Sequence, residues 1–163
     1  MKKTNYLKLT LSIAACVLIG ILSCSITHST LSTWYLKIEK PFFNPPSWAC
    51  ITVWTLLYII MGYSFYIVWN RESRSVRGKK VIKNAMILFG VQLGLNLFWT
   101  YLFFGLCNPF LALIEILLLW LFIFETIKAF NRIDAFASRL LLPYLVWISC
   151  ATLLNGSIWW LNC

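Results

Sequence analysis

Five apolar stretches, each long enough to cross a lipid bilayer, constrain this chain more than any other feature. They run over residues 7–26, 47–69, 81–104, 109–130 and 140–161. A membrane-spanning helix needs about 20 mostly apolar residues. Barrel strands would be about 10 residues long and alternate apolar with polar. Here the runs are unbroken, as in Ile116-Leu117-Leu118-Leu119-Trp120-Leu121-Phe122. The expected fold is therefore all-α, a five-transmembrane-helix bundle, with residues 1–163 forming one domain. Composition agrees. Charged residues make up 12% of the chain, against roughly 25% in soluble domains. A disordered chain would need the opposite balance.

The charges are sorted by side. Five spans put the termini on opposite faces of the membrane. Lys2, Lys3, Lys8, Arg71, Arg74, Arg77, Lys79, Lys80, Lys83, Lys128, Arg132 and Arg139 fall on the side of the N-terminus, and only Lys37 and Lys40 on the other. The positive-inside rule then predicts a cytoplasmic N-terminus and an outer C-terminus. The net charge of +9 reads as topology and attraction to anionic headgroups, not as a nucleic-acid surface. Lys2-Lys3 and Ile21-Leu22-Ser23-Cys24 give the first span some likeness to a lipoprotein signal. Its apolar core exceeds the usual 7 to 15 residues or so, so a retained helix is expected.

Six cysteines, at 16, 24, 50, 107, 150 and 163, show no C-x-x-C spacing and no histidine cluster. They read as small apolar fillers; no metal site and no cofactor is expected. His28, at the outer end of the first span, is read as a solvated loop residue, with axial ligation of a haem-like ring as the sharper alternative.

Residues 29–48 hold Trp34, Tyr35, Pro41, Phe42, Phe43, Pro45, Pro46 and Trp48. The prolines fix backbone torsions and impose turns or extended chain. One reading is an interfacial loop with aromatics at headgroup depth. The other is a stiff lid over the mouth of the bundle. Pro46 suits a helix start, where a missing N–H costs nothing.

Polar residues inside a membrane are costly and tend to face the interior. Gln92 and Asn96 lie one turn apart, and Trp99 and Phe103 continue their stripe. Gly90 and Gly94 point the other way, toward a neighbouring helix or a second subunit. Trp147, Ala151, Leu154 and Ile158 form a stripe on the fifth span; Cys50, Trp54, Leu57 and Met61 form one on the second. Trp54, Asn96 and Trp147 each carry a donor that needs a partner when buried. Core packing and a ligand pocket both account for such stripes. Glu125 is expected to pair with Lys128. Glu115 lies deeper and is read as protonated, hydrogen-bonded to the lid, or functional. No nucleophile–base pair, paired carboxylates or phosphate loop is present, so no catalytic residue is assigned.

In order along the chain, Trp34-Tyr35, Lys40-Pro41, Pro45-Pro46, Trp48, Trp54, Leu57-Tyr58, Met61-Gly62, Gln92-Leu93, Leu95-Asn96, Trp99, Phe103-Phe104-Gly105, Leu141-Leu142-Pro143-Tyr144-Leu145-Val146-Trp147, Ala151 and Leu154-Asn155 resemble the TspO and mitochondrial translocator protein family, also called tryptophan-rich sensory proteins or peripheral benzodiazepine receptors. The resemblance implies a five-helix bundle, commonly a homodimer, with a ligand cavity among the helices. It implies binding of porphyrins and of benzodiazepine-site ligands. By position, Trp54, Asn96, Trp147, Ala151 and Leu154 fall on ligand-site residues. Trp34, Tyr35, Pro41, Pro45, Pro46 and Trp48 fall on the lid, and Gly90 and Gly94 on the helix implicated in dimer contacts. Glu115 falls where relatives carry an acidic residue. The cholesterol motif of animal members is absent: residues 153–163 hold neither Tyr nor a basic residue. A porphyrin or haem-like molecule is thus the expected partner and a bacterial cell membrane the expected location. Receptor or carrier, light-dependent porphyrin degradation, and sensing without transport are the functions the resemblance leaves open.

Overall fold

The computed structural model describes residues 5–163; Lys2 and Lys3, counted above on the basic side, lie outside the described residues. Five helices are long and apolar enough to cross a membrane: Tyr6–His28, Trp48–Trp69, Val76–Gly105, Pro109–Asn131 and Ala135–Leu161. The architecture is an all-α bundle. In chain order the elements are α1 (Tyr6–Leu31), α2 (Trp34–Lys37), α3 (Ser47–Trp69), α4 (Val76–Thr100) with a π-helical turn at Tyr101–Gly105, α5 (Pro109–Asn131), α6 (Ala135–Leu140) and α7 (Leu142–Leu161).

Side chains fix most of the helix starts by accepting from otherwise orphaned N–H groups. Asn5 Oδ1 accepts from Lys8 N, Ser75 Oγ from Gly78 N, and Asn108 Oδ1 from Leu111 N. Asp134 Oδ1 accepts from both Phe136 N and Ala137 N. The Ser75 cap starts α4 five residues before the predicted span, so Arg77, Lys79 and Lys80 sit on its first turns. Long basic side chains reach an interface from there. The last span is broken at Leu141, where Pro143 lacks the N–H that would continue α6 into α7.

Lipid tails are as apolar as leucine, so the helices are held by close packing and interhelical hydrogen bonds. α1 meets α3 through small residues. Ser12, Cys16 and Gly20 follow one stripe of α1. A Cβ on Gly62 of α3 would lie 2.7 Å from Ile13 Cα, and one on Gly20 would lie 2.7 Å from the Tyr58 ring. α5 buries Ala112, Ile116, Leu119, Ile123 and Phe130, one face at helical spacing, between α4 and α7. Ser64 Oγ donates to Ala137 O at 2.7 Å, and Ser138 Oγ to Ile127 O at 3.0 Å, pinning α6 to α3 and α5. Around them Phe65, Phe89 and Phe130 stack, with centroids 4.8 and 5.8 Å apart, and fill the end of the bundle that carries most of the basic residues.

Candidate functional site: an aromatic cavity under a loop

At the opposite end the bundle is hollow. A cavity of about 750 Å³ lies between α1, α3, α7 and the π-helical turn, where α3 and α7 touch only sparsely. Its walls carry Trp54, Tyr58, Trp99, Phe103, Phe104 and Trp147. Trp54 anchors one side. Its ring stacks on Tyr58 at 5.6 Å and meets Trp147 edge-on at 6.3 Å. Trp99 stacks on Phe103 at 5.3 Å. Ala151 and Leu154 follow Trp147 along α7 and line the same space. Trp54, Trp147, Ala151 and Leu154 are therefore brought together.

Asn96 is placed differently. It does not line the cavity, and its side chain is 1% exposed. The Tyr58 hydroxyl donates to Asn96 Oδ1 at 2.5 Å, and Asn96 Nδ2 donates to the Tyr144 hydroxyl at 3.0 Å. The amide is engaged on both sides by phenols that reach across the bundle. It underlies the cavity, and Tyr58 stands at the wall instead. This three-residue layer separates the hollow half from the filled half. Among the described residues, Trp147 Nε1 is buried with no hydrogen-bond partner, as are both amide atoms of Gln92. Glu115 is buried too, and among the described residues neither of its oxygens has a partner, so of its three readings the bond to the lid is not formed. Glu125 does pair with Lys128, at 2.7 Å.

The loop between α1 and α3 splits into covering and outward-facing parts. Tyr35, Phe43 and Pro45 line the cavity. Trp34 packs edge-on against Phe103, and Tyr35 lies tilted against Phe104, each at 5.7 Å. The Tyr35 hydroxyl donates to Asn44 Oδ1 at 3.0 Å, and burial pushes its pKa above the usual phenol value. Asn162, at the end of α7, fastens the loop: its Oδ1 accepts from Glu39 N and its Nδ2 donates to Glu39 O, both at 3.0 Å. Pro41 and Pro46 are not at the cavity. Trp48 is 71% exposed and does not line the cavity, although Ile51 and Thr55, at i+3 and i+7 on the same side of α3, do.

Several wall residues escaped the stripes read from sequence. α1 contributes Val17, Gly20, Ser23 and His28. The small-residue spacing of Ser12, Cys16 and Gly20 was the signal for its close approach to α3. His28 is exposed on the last turn of α1 and borders the cavity. Of the cysteines, Cys16 is core, whereas Cys24, Cys50 and Cys150 face the cavity. No sequence signal announces the π-helical turn. It sends Leu106 N to Tyr101 O at 2.8 Å and turns both Phe103 and Phe104 to the hollow. Such turns are common at functional sites. Thr30 Oγ1 donates to Phe104 O at 2.8 Å, tying α1 to it. Cys107, at φ 51°, then reverses the chain into α5. Gly90 and Gly94 are exposed, and among the described residues nothing lies within 4 Å of a Cβ placed on either, so no described helix packs on them.

Fold and cavity together define an integral membrane helical bundle with an aromatic hollow opening at one end. The chain belongs to the TspO/MBR family, whose sequence profile matches residues 12–161. It is 42% identical over 158 residues to the tryptophan-rich protein TspO of Archaeoglobus fulgidus, covering 97% of this chain and 99% of that one. It is 40% identical over 156 residues to the protein of the same name from Chlorobaculum tepidum, covering 96% of each. The human translocator protein is 37% identical over 132 residues, covering 81% of this chain and 76% of that one.

Proposed function

We propose that this protein is a membrane receptor or carrier for porphyrin-like tetrapyrroles, which it holds in the cavity between α1, α3 and α7. The observation that carries the reading is the wall itself: three indoles, Trp54, Trp99 and Trp147, around about 750 Å³. Ligand sites of roughly 300–1,000 Å³ with apolar walls and a few polar points take small molecules. A flat macrocycle gains offset stacking on such rings, on the order of 1 kcal/mol per pair beyond area burial. The unpaired Trp147 N–H costs about 1–3 kcal/mol while buried; an acceptor atom on the ligand relieves it. Tyr58, held by Asn96, orients the opposite wall. Benzodiazepine-site ligands, planar and aromatic, suit the same walls.

The test is protoporphyrin IX titrated into the detergent-solubilised chain, with affinity taken from quenching of indole fluorescence. Trp147→Ala is expected to weaken binding at least tenfold, through one stacking contact and the N–H. Unchanged affinity removes the cavity from the reading.

Light-dependent breakdown of the porphyrin is favoured by one specific feature, the oxidisable Cys24, Cys50 and Cys150 beside the indoles. Many product molecules per protein would establish turnover; one or fewer means damage. Liposome flux separates a carrier from a sensor. A homodimer is supported by the open face at Gly90 and Gly94, where a second copy can approach closely. Loss of cross-linked dimer in Gly94→Leu checks it. The basic bias supports a cytoplasmic N-terminus.

A further inference from the structure

A second hollow, of about 660 Å³, lies at the other end of the bundle, between the last turns of α3 and the first turns of α4. Its floor is apolar: Phe65 from α3, and Ile82, Met86 and Ile87 from α4. Its rim carries Arg74, Lys79 and Lys83, all exposed and without an ion pair among the described residues. Arg71 also borders it, but is neutralised by a salt bridge to Asp134. Glu72 is the one carboxylate on the rim. Lys79 and Lys83 are one turn apart on α4, and Ile82, Met86 and Ile87 continue down the helix from them. Cationic rim and apolar floor are thus continuous along the direction in which a lipid would lie.

We propose that this hollow binds an anionic phospholipid, with the phosphate on Arg74, Lys79 and Lys83 and the upper acyl chain along Phe65, Met86 and Ile87. Charge complementarity selects the headgroup, because three cations face one carboxylate. A soluble anion would satisfy the rim and leave the floor uncovered. A zwitterionic lipid would bring its own cation to an already positive rim. The inference is independent of the tetrapyrrole reading, which concerns the opposite end of the bundle.

Native mass spectrometry of the full chain in mild detergent, titrated with phosphatidylglycerol or phosphatidylcholine, tests it. Phosphatidylglycerol is expected to bind about tenfold more tightly. Lys79→Gln with Lys83→Gln should weaken it roughly 30-fold, about fivefold per cation. Arg132→Gln with Arg139→Gln removes two exposed cations outside the hollow and should change affinity by less than about threefold, through screened long-range attraction alone. Should the α4 pair fail to fold, Arg74→Gln in the preceding loop should still weaken binding about fivefold. Equal loss in both double variants would replace the site with diffuse surface charge. Equal affinity for the two lipids, or displacement by inorganic phosphate, would overturn it as well.

Discussion

The two halves of this bundle are made of the same helices and the same kinds of residue, yet between the helices one is packed, with a hollow only on its outer surface, and the other is open inside. Toward the basic end, Phe65, Phe89 and Phe130 stack into a filled core with Ala85, Ala137 and Leu141. Toward the other end, Trp54, Trp99 and Trp147 stand around open space. Between them lies the Tyr58–Asn96–Tyr144 layer. Aromatic residues do not of themselves fill a bundle. Packing depends on whether each ring finds a small partner opposite, such as Ala85 or Ala137, or another large ring that holds the helices apart.

Substitutions on either side of that layer should separate stability from binding. The largest effect is expected in the filled half. Phe89→Ala should cost on the order of 3 kcal/mol, read as a lower melting temperature in detergent, while residual folded protein binds protoporphyrin unchanged. A binding loss there would mean that the halves are not independent. Next comes the layer itself. Asn96→Leu leaves two buried hydroxyls short of a partner, about 1–3 kcal/mol. It should lower the melting temperature and also loosen Tyr58, so that binding weakens by a smaller factor than in Trp147→Ala. If it abolished binding at full stability, Asn96 would be a direct ligand contact. In the hollow half Trp147→Ala should weaken binding at least tenfold and lower stability less than Phe89→Ala does, since part of the ring borders space that is already open. The smallest effect belongs to Trp48→Ala, which is exposed and outside the cavity wall and should change affinity less than about twofold; a large loss would make Trp48 part of the cover.

Much of this could be read from the chain. Span positions followed from length and hydropathy because every backbone polar group in a bilayer must be satisfied within its own helix. Trp54, Trp147, Ala151 and Leu154 converge as their stripes suggested, since a helix's period fixes which residues share a face. The failures have physical causes too. Asn96 shares a stripe with Trp99, but a period cannot say whether an amide meets a ligand or two phenols from α3 and α7. Trp48 and Trp34 look alike in a proline-rich loop, and only the folded chain packs Trp34 on Phe103 and leaves Trp48 exposed. Beyond His28, the wall residues of α1 went unread partly because Gly20, Ser23 and Cys24 are small, and small residues show their role only against a neighbour. The fastening of the loop by Asn162 joins residues 123 positions apart.

By itself, the sequence determined the solvent, the number of spans and the face each stripe presents, because these depend on transfer free energy and on a helical period local to each segment. Only the tertiary structure decided which end is hollow, which rings line it and which amide lies beneath it. Those depend on distances between helices, and the distances are set by pairs such as Gly20 with Tyr58 and Gly62 with Ile13.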